Sequence, residues 1–193
     1  MKLIIVEGLD NTGKDDCLNY LINKYSDNHL YRHFGFPIGE TNQEKIDYQK
    51  YSFQKEFSLY QTIEKDKYFN QNNEIYWNRS HIGEYVYGTI YRNYDPEWIF
   101  NLETLYGFDE KDIYLILLTA DPEFLIKNDD GKSFSTKLSD KKREIKLFES
   151  AFQKSIIHNK LNIKVNENKK SYRSRESIRT EIENFIFGES KTS

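Results

Sequence analysis

Two glycines and a lysine stand at a fixed spacing directly after the first apolar run of the chain. Leu3 to Val6 is followed, from Gly8, by GLDNTGKD, which fits the pattern GxxxxGK and lacks the usual final Ser or Thr. In such a phosphate-binding loop, or P-loop, backbone N–H groups surround phosphate oxygens and the lysine reaches the β and γ phosphates. An ordinary βα turn is the alternative. Candidate ligands for the ATP phosphates are Gly8, Asn11, Thr12, Gly13, Lys14, Asp15 and Asp16, with Lys14 also a catalytic candidate.

Two carboxylates, Asp15 and Asp16, follow the lysine where a hydroxyl ligand for Mg²⁺ usually stands. Negative charges this close to a polyphosphate repel it, although a bound Mg²⁺ reverses that effect for Asp15. In the alternative interpretation, both carboxylates simply favour the positive end of their own helix, and no nucleotide is needed.

The elements that position this loop alternate between strand-length apolar runs and stretches of helical period. That alternation is typical of an α/β fold, with helices on both faces of a parallel sheet. Apolar residues recur at helical spacing in four segments: after the P-loop lysine, over residues 43–68, around Phe148 and around Ile182. The predicted five strands are Leu3–Val6, Leu30–Phe34, Glu74–Asn78, Ile113–Leu118 and Asn162–Val165.

Composition limits the class of protein. The 193 residues, 37% apolar and 31% charged, include 30 aromatic rings (15 Tyr, 13 Phe, 2 Trp) that argue against disorder. A net charge of -3 gives no overall attraction to nucleic acid or an anionic membrane. One cysteine, no apolar run long enough to span a bilayer and no signal-peptide pattern lead us to expect a soluble, cytoplasmic protein. We expect one domain over residues 1–193, because no linker interrupts the chain.

Two further segments carry a resemblance to a known family. Glu7-Gly8-Leu9-Asp10 precedes Gly13-Lys14, and the third predicted strand leads into RSHIGEYVYGTIYR, residues 79–92. With these motifs the chain resembles the thymidylate kinase family of nucleoside monophosphate kinases, especially phage-type and bacterial members. The resemblance implies a P-loop kinase fold with a lid at about residues 127–140. It also implies ATP as phosphoryl donor, Mg²⁺ as cofactor, a thymidylate-like deoxynucleoside monophosphate as acceptor, and a homodimer.

The resemblance also assigns roles to residues on the acceptor side. Arg79, a catalytic candidate, would clamp the acceptor phosphate, for which a guanidinium fork is well suited. Aromatic residues at helical spacing are also typical of a core, and Arg79 has an alternative role in a surface ion pair. We assign no chemistry to His81. The acceptor-binding candidates are Asp10 at the sugar, Arg79 at the phosphate, Phe36 beside Pro37, Phe53 or Phe57 against the base, and Tyr87.

Two departures from the family pattern lie at the positions that the resemblance assigns to Mg²⁺ binding. The family's Asp-Arg pair is Asn78-Arg79 in this chain, and Asp15 stands where the family has a hydroxyl. We therefore hypothesise that the Mg²⁺ ligands, Asp15 and Asn78, have exchanged charged and neutral groups across the site.

A third departure concerns the arginine that stabilises phosphoryl transfer. Asn11 occupies its P-loop position, and the lid offers Lys127, Lys132 and Lys137 instead, with Lys132 the catalytic candidate. Three functions therefore remain open: a nucleoside monophosphate kinase, a degenerate kinase fold that binds a nucleotide or a protein, and a kinase acting on a modified base in DNA. The third would need a basic groove, for which the candidates are Lys141, Lys142, Arg143, Lys169, Lys170, Arg173, Arg175 and Arg179.

Overall fold

A computed structural model describes residues 1–26, 28–66, 73–131 and 133–188. Its centre is a five-stranded, all-parallel sheet with the order β2-β3-β1-β4-β5. The predicted α/β class and the five predicted strands are confirmed. The strands are β1 (Lys2–Gly8), β2 (His29–His33), β3 (Glu74–Asn78), β4 (Ile113–Thr119) and β5 (Asn159–Lys164).

Seven α-helices and one short 3₁₀ helix connect the described strands. β1 and β4 are buried along almost their whole length, as expected for strands covered by helices on both faces. The helices are α1 (Lys14–Tyr25), α2 (Asn42–Lys65), α3 (His81–Tyr91), α4 (Trp98–Leu105), α5 (Pro122–Lys127), α6 (Leu138–Lys154) and α7 (Arg175–Phe187), with the 3₁₀ helix at Phe108–Glu110.

Helices α3 and α4 have no counterpart in the sequence prediction. Two glycines lower the intrinsic helix propensity of α3, so packing rather than local preference decides its conformation. Gly88 makes room for a neighbouring ring, because a Cβ at that position would lie 2.7 Å from Tyr94. Helix α3 packs mainly on α6.

The parallel register brings the chemistry-bearing loops to one edge of the sheet. Val6 of β1 pairs with Asn78 of β3, and Gly8 pairs with Leu118 of β4. The P-loop after β1, Arg79 after β3 and the segment after β2 therefore leave the same carboxyl edge, where ligands bind in α/β folds.

The core between this edge and α2 is aromatic. Phe57 stacks between Trp77 and Phe108, with ring centroids 5.4 and 4.6 Å away. His81 is completely buried beside these rings, and its Nε2 lies 2.6 Å from Glu103 Oε1. In the part of the chain that the structure describes, we find no helix with the length and apolar character of a membrane span.

Candidate functional site

The P-loop depends on glycine at both ends. Gly8 has φ 140°, and a Cβ on it would lie 2.1 Å from the carbonyl oxygen of Leu118. Gly13 begins α1 in the left-handed conformation, with φ 85°. Within the loop, the Thr12 hydroxyl donates to the Leu9 carbonyl at 2.8 Å. The Thr12 hydroxyl is thus used to shape the loop.

Lys14 lies across the inside of the P-loop. Its Nζ donates to the Gly8 carbonyl at 3.0 Å and also to the Leu9 carbonyl. Burial, followed by the nearby Arg79 charge, lowers the pKa of Lys14 to about 8. Lys14 is therefore still mainly charged at neutral pH, and it loses that charge under mildly alkaline conditions.

Asp15 and Asn78 are in direct contact. Asn78 Nδ2 donates to Asp15 Oδ1 and, at 3.0 Å, lies within hydrogen-bond distance of the Tyr31 hydroxyl. The Asn78 side chain is completely buried, and its Oδ1 has no hydrogen-bond partner among the described residues. The Asp15 carboxylate therefore faces the amide nitrogen of Asn78 beside the P-loop, and the amide oxygen is turned away from it.

Asp16, in contrast, is engaged by the C-terminal helix. Arg179 Nη2 lies 3.0 Å from both carboxylate oxygens, and Arg175 Nη1 lies 3.4 Å from Oδ1. The Arg179 guanidinium also lies over the Tyr20 ring, 4.5 Å from its centroid. The repulsion expected from Asp16 is therefore offset, because two arginines surround its single negative charge.

Arg79 occupies a constrained position at the end of β3. Its φ of 66° is rare for a residue other than glycine, and such conformations are concentrated at functional sites. The guanidinium pairs with Asp10 and donates to the Tyr87 hydroxyl at 3.3 Å. Although burial opposes it, the charges of Arg79 and Lys14 hold the pKa of Asp10 below its usual value. Asp10 is thus ionised at neutral pH.

Two cavities meet at this ion pair. The larger one, of about 600 Å³, runs from the P-loop to the start of α7, and the smaller one, of about 130 Å³, lies between α2 and α3. We call them the donor cavity and the acceptor cavity, after the phosphate-loop and acceptor-side residues in their walls. Both are lined by Asp10, His33, Phe36 and Arg79.

The aromatic acceptor-binding candidates differ in their placement. Phe36 is 73% exposed and lines both cavities, while Tyr87 lines the acceptor cavity. Phe53 also lines the acceptor cavity, with its ring 5.0 Å from that of Phe34. The prediction for Phe57 is wrong: its side chain is 0% exposed within the core stack and does not reach the cavity wall.

The segment between α5 and α6, which includes most of the predicted lid, contacts the P-loop directly. Asn11 Nδ2 lies 3.5 Å from Asp130 Oδ1 and 3.4 Å from Ser133 Oγ. The Phe134 N–H donates to Asp10 Oδ2 at 3.2 Å. This segment therefore touches two consecutive P-loop residues.

The lid lysines do not approach the donor cavity in the described part of the chain. Lys127 and Lys137 are exposed and line neither cavity. The predicted catalytic Lys132 lies outside the described residues. Arg173 and Arg175 do line the donor cavity, from the segment that leads into α7.

Sequence reasoning missed three groups of polar residues at this edge. Glu7 is buried beneath the P-loop and accepts from Ser80 Oγ at 2.8 Å and from the Gly83 N–H at 3.0 Å. Burial raises the pKa of Glu7. The Tyr172 hydroxyl donates to the Asn11 carbonyl at 3.0 Å. A glutamate at the end of an aliphatic strand was the available signal for Glu7, whereas Tyr172 has no local signal.

The third missed group lies in the acceptor cavity. Gln49, Glu84 and Arg92 are buried polar residues in its wall. Arg92 and Tyr94 both donate to the Glu84 carboxylate. Only the position of Glu84 and Arg92 within the segment 79–92 connected them with the site.

Several of the basic residues that were candidates for a nucleic-acid groove form ion pairs within the chain. Lys141 is 1% exposed and its Nζ donates to Glu144 at 3.2 Å. Arg173 pairs with Glu181 at 2.7 Å, and Arg179 pairs with Asp16. These three side chains therefore contribute internal pairs rather than a free basic surface.

Comparison with known proteins shows the fold. No family model matches the chain, and no curated protein matches it in sequence. The YorR protein of Bacillus subtilis, solved in complex with phosphorylated GDP, matches with a TM-score of 0.63 and 16% identity over 93% of this chain and 92% of that chain. Thymidylate kinase from Candida albicans matches with a TM-score of 0.62 and 15% identity, over 95% and 90% of the two chains. Thymidylate kinase from Ehrlichia chaffeensis matches with a TM-score of 0.52 and 14% identity, over 94% and 96%. The chain has a thymidylate kinase-like fold.

Proposed function

We propose that the protein is a phosphotransferase that moves the γ-phosphate of ATP onto a deoxynucleoside monophosphate with a thymidylate-like base. The observation that carries this proposal is the meeting of the two cavities at Asp10 and Arg79. A phosphoryl group can pass directly between two bound nucleotides only where their phosphate ends face each other. The donor cavity holds a P-loop with its lysine, and the acceptor cavity begins at an arginine.

The residues act by positioning and by charge. The P-loop N–H groups and Lys14 bind the donor phosphates, and Arg79 holds the acceptor phosphate with its planar guanidinium. Asp10 orients Arg79 through their ion pair. Transfer between phosphate oxygens needs no covalent intermediate, so no side chain has to act as a nucleophile.

The residues beside the P-loop suit Mg²⁺. The carboxylate of Asp15 supplies an oxygen ligand in the wall of the donor cavity. The Asn78 amide presents its nitrogen to Asp15, so its buried, unpartnered Oδ1 would become a second ligand only if the amide turned over. Mg²⁺ is commonly held by one or two protein oxygens together with phosphates and waters. No group of three or more acidic, histidine or cysteine residues suitable for a metal occurs in the described part of the chain. When bound, Mg²⁺ neutralises charge on the phosphates.

Arg175 supplies a cation that the P-loop lacks. It lines the donor cavity, its side chain is 79% exposed, and it pairs with Asp16, which Arg179 already contacts. Its guanidinium therefore has further N–H donors for a donor phosphate. In this proposal Asp16 does not bind phosphate itself and instead holds Arg175 at the edge of the donor cavity.

The test measures binding and transfer separately. ATP with Mg²⁺, and GTP with Mg²⁺ because of the YorR complex, are titrated calorimetrically. Release of the diphosphate formed from the donor, ADP or GDP, is then measured with a panel of possible acceptors: nucleosides, deoxynucleoside monophosphates and DNA. We expect release with a monophosphate. Nucleotide binding without release would support a binding protein, and no binding at millimolar nucleotide would overturn the proposal.

A further inference from the structure

The segment between β5 and α7 reaches back to the P-loop through one tyrosine. We infer that Tyr172 is a positioning residue for the donor phosphates: its hydroxyl holds the carbonyl of Asn11 and so keeps the Thr12 N–H directed at the phosphates of a nucleoside triphosphate. The inference rests on the proposed function. It adds to the P-loop a residue that lies 161 positions from Asn11 in the sequence.

The first step concerns the turn from which this tyrosine extends. Asn166 and Tyr172 form an antiparallel bridge, and the Glu167 N–H donates to the Ser171 carbonyl at 3.1 Å between them. Asn166 is 3% exposed. Its side chain accepts from the Asp121 N–H at 2.9 Å and donates to Asp121 Oδ2 at 2.8 Å. The turn is therefore fixed at its base to the start of α5.

The second step concerns the Tyr172 side chain. Its ring packs edge-to-face on the buried ring of Phe124, with centroids 4.5 Å apart and planes at 83°. Its hydroxyl donates to the Asn11 carbonyl at 3.0 Å. Burial, followed by the nearby Asp130 charge, raises the pKa of Tyr172, so the hydroxyl stays protonated and remains a donor at neutral pH. The ring contact thus fixes where a neutral hydrogen-bond donor meets the P-loop.

The third step concerns the peptide between Asn11 and Thr12. Asn11 has φ 62°, a conformation that is uncommon for residues other than glycine. In a planar, trans peptide the C=O and the following N–H point in opposite directions. The hydrogen bond from Tyr172 to the Asn11 carbonyl therefore also sets the direction of the Thr12 N–H. A peptide turned the other way would present a carbonyl oxygen to the phosphates and repel them.

The Asn11 side chain makes a separate set of contacts. Its Nδ2 lies 3.5 Å from Asp130 Oδ1 and 3.4 Å from Ser133 Oγ, on the segment between α5 and α6. Tyr172 binds the main chain of Asn11, whereas these contacts involve its side chain. Loss of the Tyr172 hydroxyl therefore acts on the P-loop peptide and leaves the contacts with that segment in place.

A direct contact with the nucleotide is the competing role for Tyr172, which is 45% exposed and lines the donor cavity. Inorganic tripolyphosphate separates the two roles, because it has a phosphate chain like that of ATP and neither base nor sugar. A residue that positions the P-loop affects the affinity of both ligands by the same factor. A residue that contacts the base or the sugar affects the affinity of ATP alone.

The experiment measures the affinity of the full chain for Mg²⁺-ATP, Mg²⁺-tripolyphosphate and dTMP by calorimetry. Tyr172→Phe removes the hydroxyl and keeps the ring against Phe124. We expect Mg²⁺-ATP and Mg²⁺-tripolyphosphate both to bind about fivefold more weakly, as for the loss of one hydrogen bond, and dTMP to bind as before. The ratio of variant to wild-type affinity should be the same at low and high salt, because no charge is removed.

Two further variants keep the result interpretable. Tyr51→Phe, at an exposed position on α2 that lines neither cavity, is the matched control and should bind all three ligands as the wild type does. Asn166→Ser loosens the turn at its base and leaves the Tyr172 hydroxyl present. It should weaken binding of Mg²⁺-ATP and Mg²⁺-tripolyphosphate equally, by about two- to threefold, and it tests the inference if Tyr172→Phe does not fold.

Three results for Tyr172→Phe would overturn the inference and leave the proposed function standing. These are affinities for both phosphate ligands within twofold of the wild type, a loss for Mg²⁺-ATP alone, and a loss for dTMP as large as that for Mg²⁺-ATP. Failure of the wild type to bind Mg²⁺-ATP and Mg²⁺-tripolyphosphate would instead remove the proposed donor site, and the inference with it.

Discussion

The donor and acceptor cavities are assembled in different ways. Five segments far apart in the sequence line the donor cavity: the P-loop with the start of α1, residues 33–36, residues 78–79, residues 128–130, and residues 165–178. The polar acceptor-side residues come mainly from one short helix and its two flanking arginines. The acceptor side therefore leaves a continuous motif in the sequence. On the donor side, the unusual negative charge of Asp16 after the P-loop lysine is offset by Arg175 and Arg179, which lie far away in the sequence.

Replacing the P-loop lysine should separate the two cavities most clearly. In Lys14→Met we expect the affinity for Mg²⁺-ATP to fall by about 100-fold or more, because a charge directed at the phosphates is lost. Binding of a monophosphate in the acceptor cavity should change little. Calorimetric titration of each nucleotide measures both effects. Lys55→Met, an exposed position on α2 that lines neither cavity, is the control. An affinity for Mg²⁺-ATP within twofold of the wild type would contradict this assignment of Lys14.

The proposed exchange of metal ligands comes next in expected size. Asp15→Thr restores the common P-loop residue, yet we expect it to weaken Mg²⁺-dependent nucleotide binding by about tenfold, because Asn78 alone supplies no charged ligand. The double variant Asp15→Thr/Asn78→Asp should recover most of that affinity. Titrations of ATP at several Mg²⁺ concentrations measure the dependence. Tighter binding in the single variant would exclude the exchange.

A pH series distinguishes the cations of the two cavities. Because burial lowers the pKa of Lys14 to about 8, its charge is present below that pH and is lost as the pH rises through it. We expect ATP affinity to fall up to about tenfold between pH 7 and pH 9.5. Monophosphate binding should stay nearly constant, since the arginine guanidinium remains charged throughout this range. Lys14→Arg should abolish the alkaline decline in ATP affinity; a decline that persists would have to come from another group.

The smallest expected effect is a change in ATP affinity that is opposite to the one charge alone predicts. Asp16→Asn removes a negative charge near the donor phosphates, and simple charge counting predicts tighter binding. We expect ATP binding about threefold weaker instead, because Asp16 holds Arg175 at the cavity. Calorimetry at low and high salt measures the difference, and exposed Asp109→Asn serves as the control. Tighter binding in Asp16→Asn would mean that Arg175 is held by other contacts.

The sequence was informative where function depends on neighbouring residues. The spacing of Gly8, Gly13 and Lys14 predicted the position of the loop, and aliphatic runs predicted the strands, because both signals are local. The pairing of Asp16 with Arg179 joins residues 163 positions apart, so no local pattern indicates it. Phe53 and Phe57 have the same spacing signal, yet only Phe53 reaches the cavity. Tertiary packing, which periodicity does not specify, decides between them.

The lid contacts on Asp10 and Asn11 have a thermodynamic consequence. Asp10 belongs to both cavities, whereas Asn11 belongs to the donor cavity, and the same short segment is hydrogen-bonded to both residues. Under the proposed function, a nucleotide in either cavity that favours this position of the segment would shift one shared conformational equilibrium. Heterotropic coupling of this kind is reciprocal, so the factor by which donor binding tightens acceptor binding equals the factor in the opposite direction.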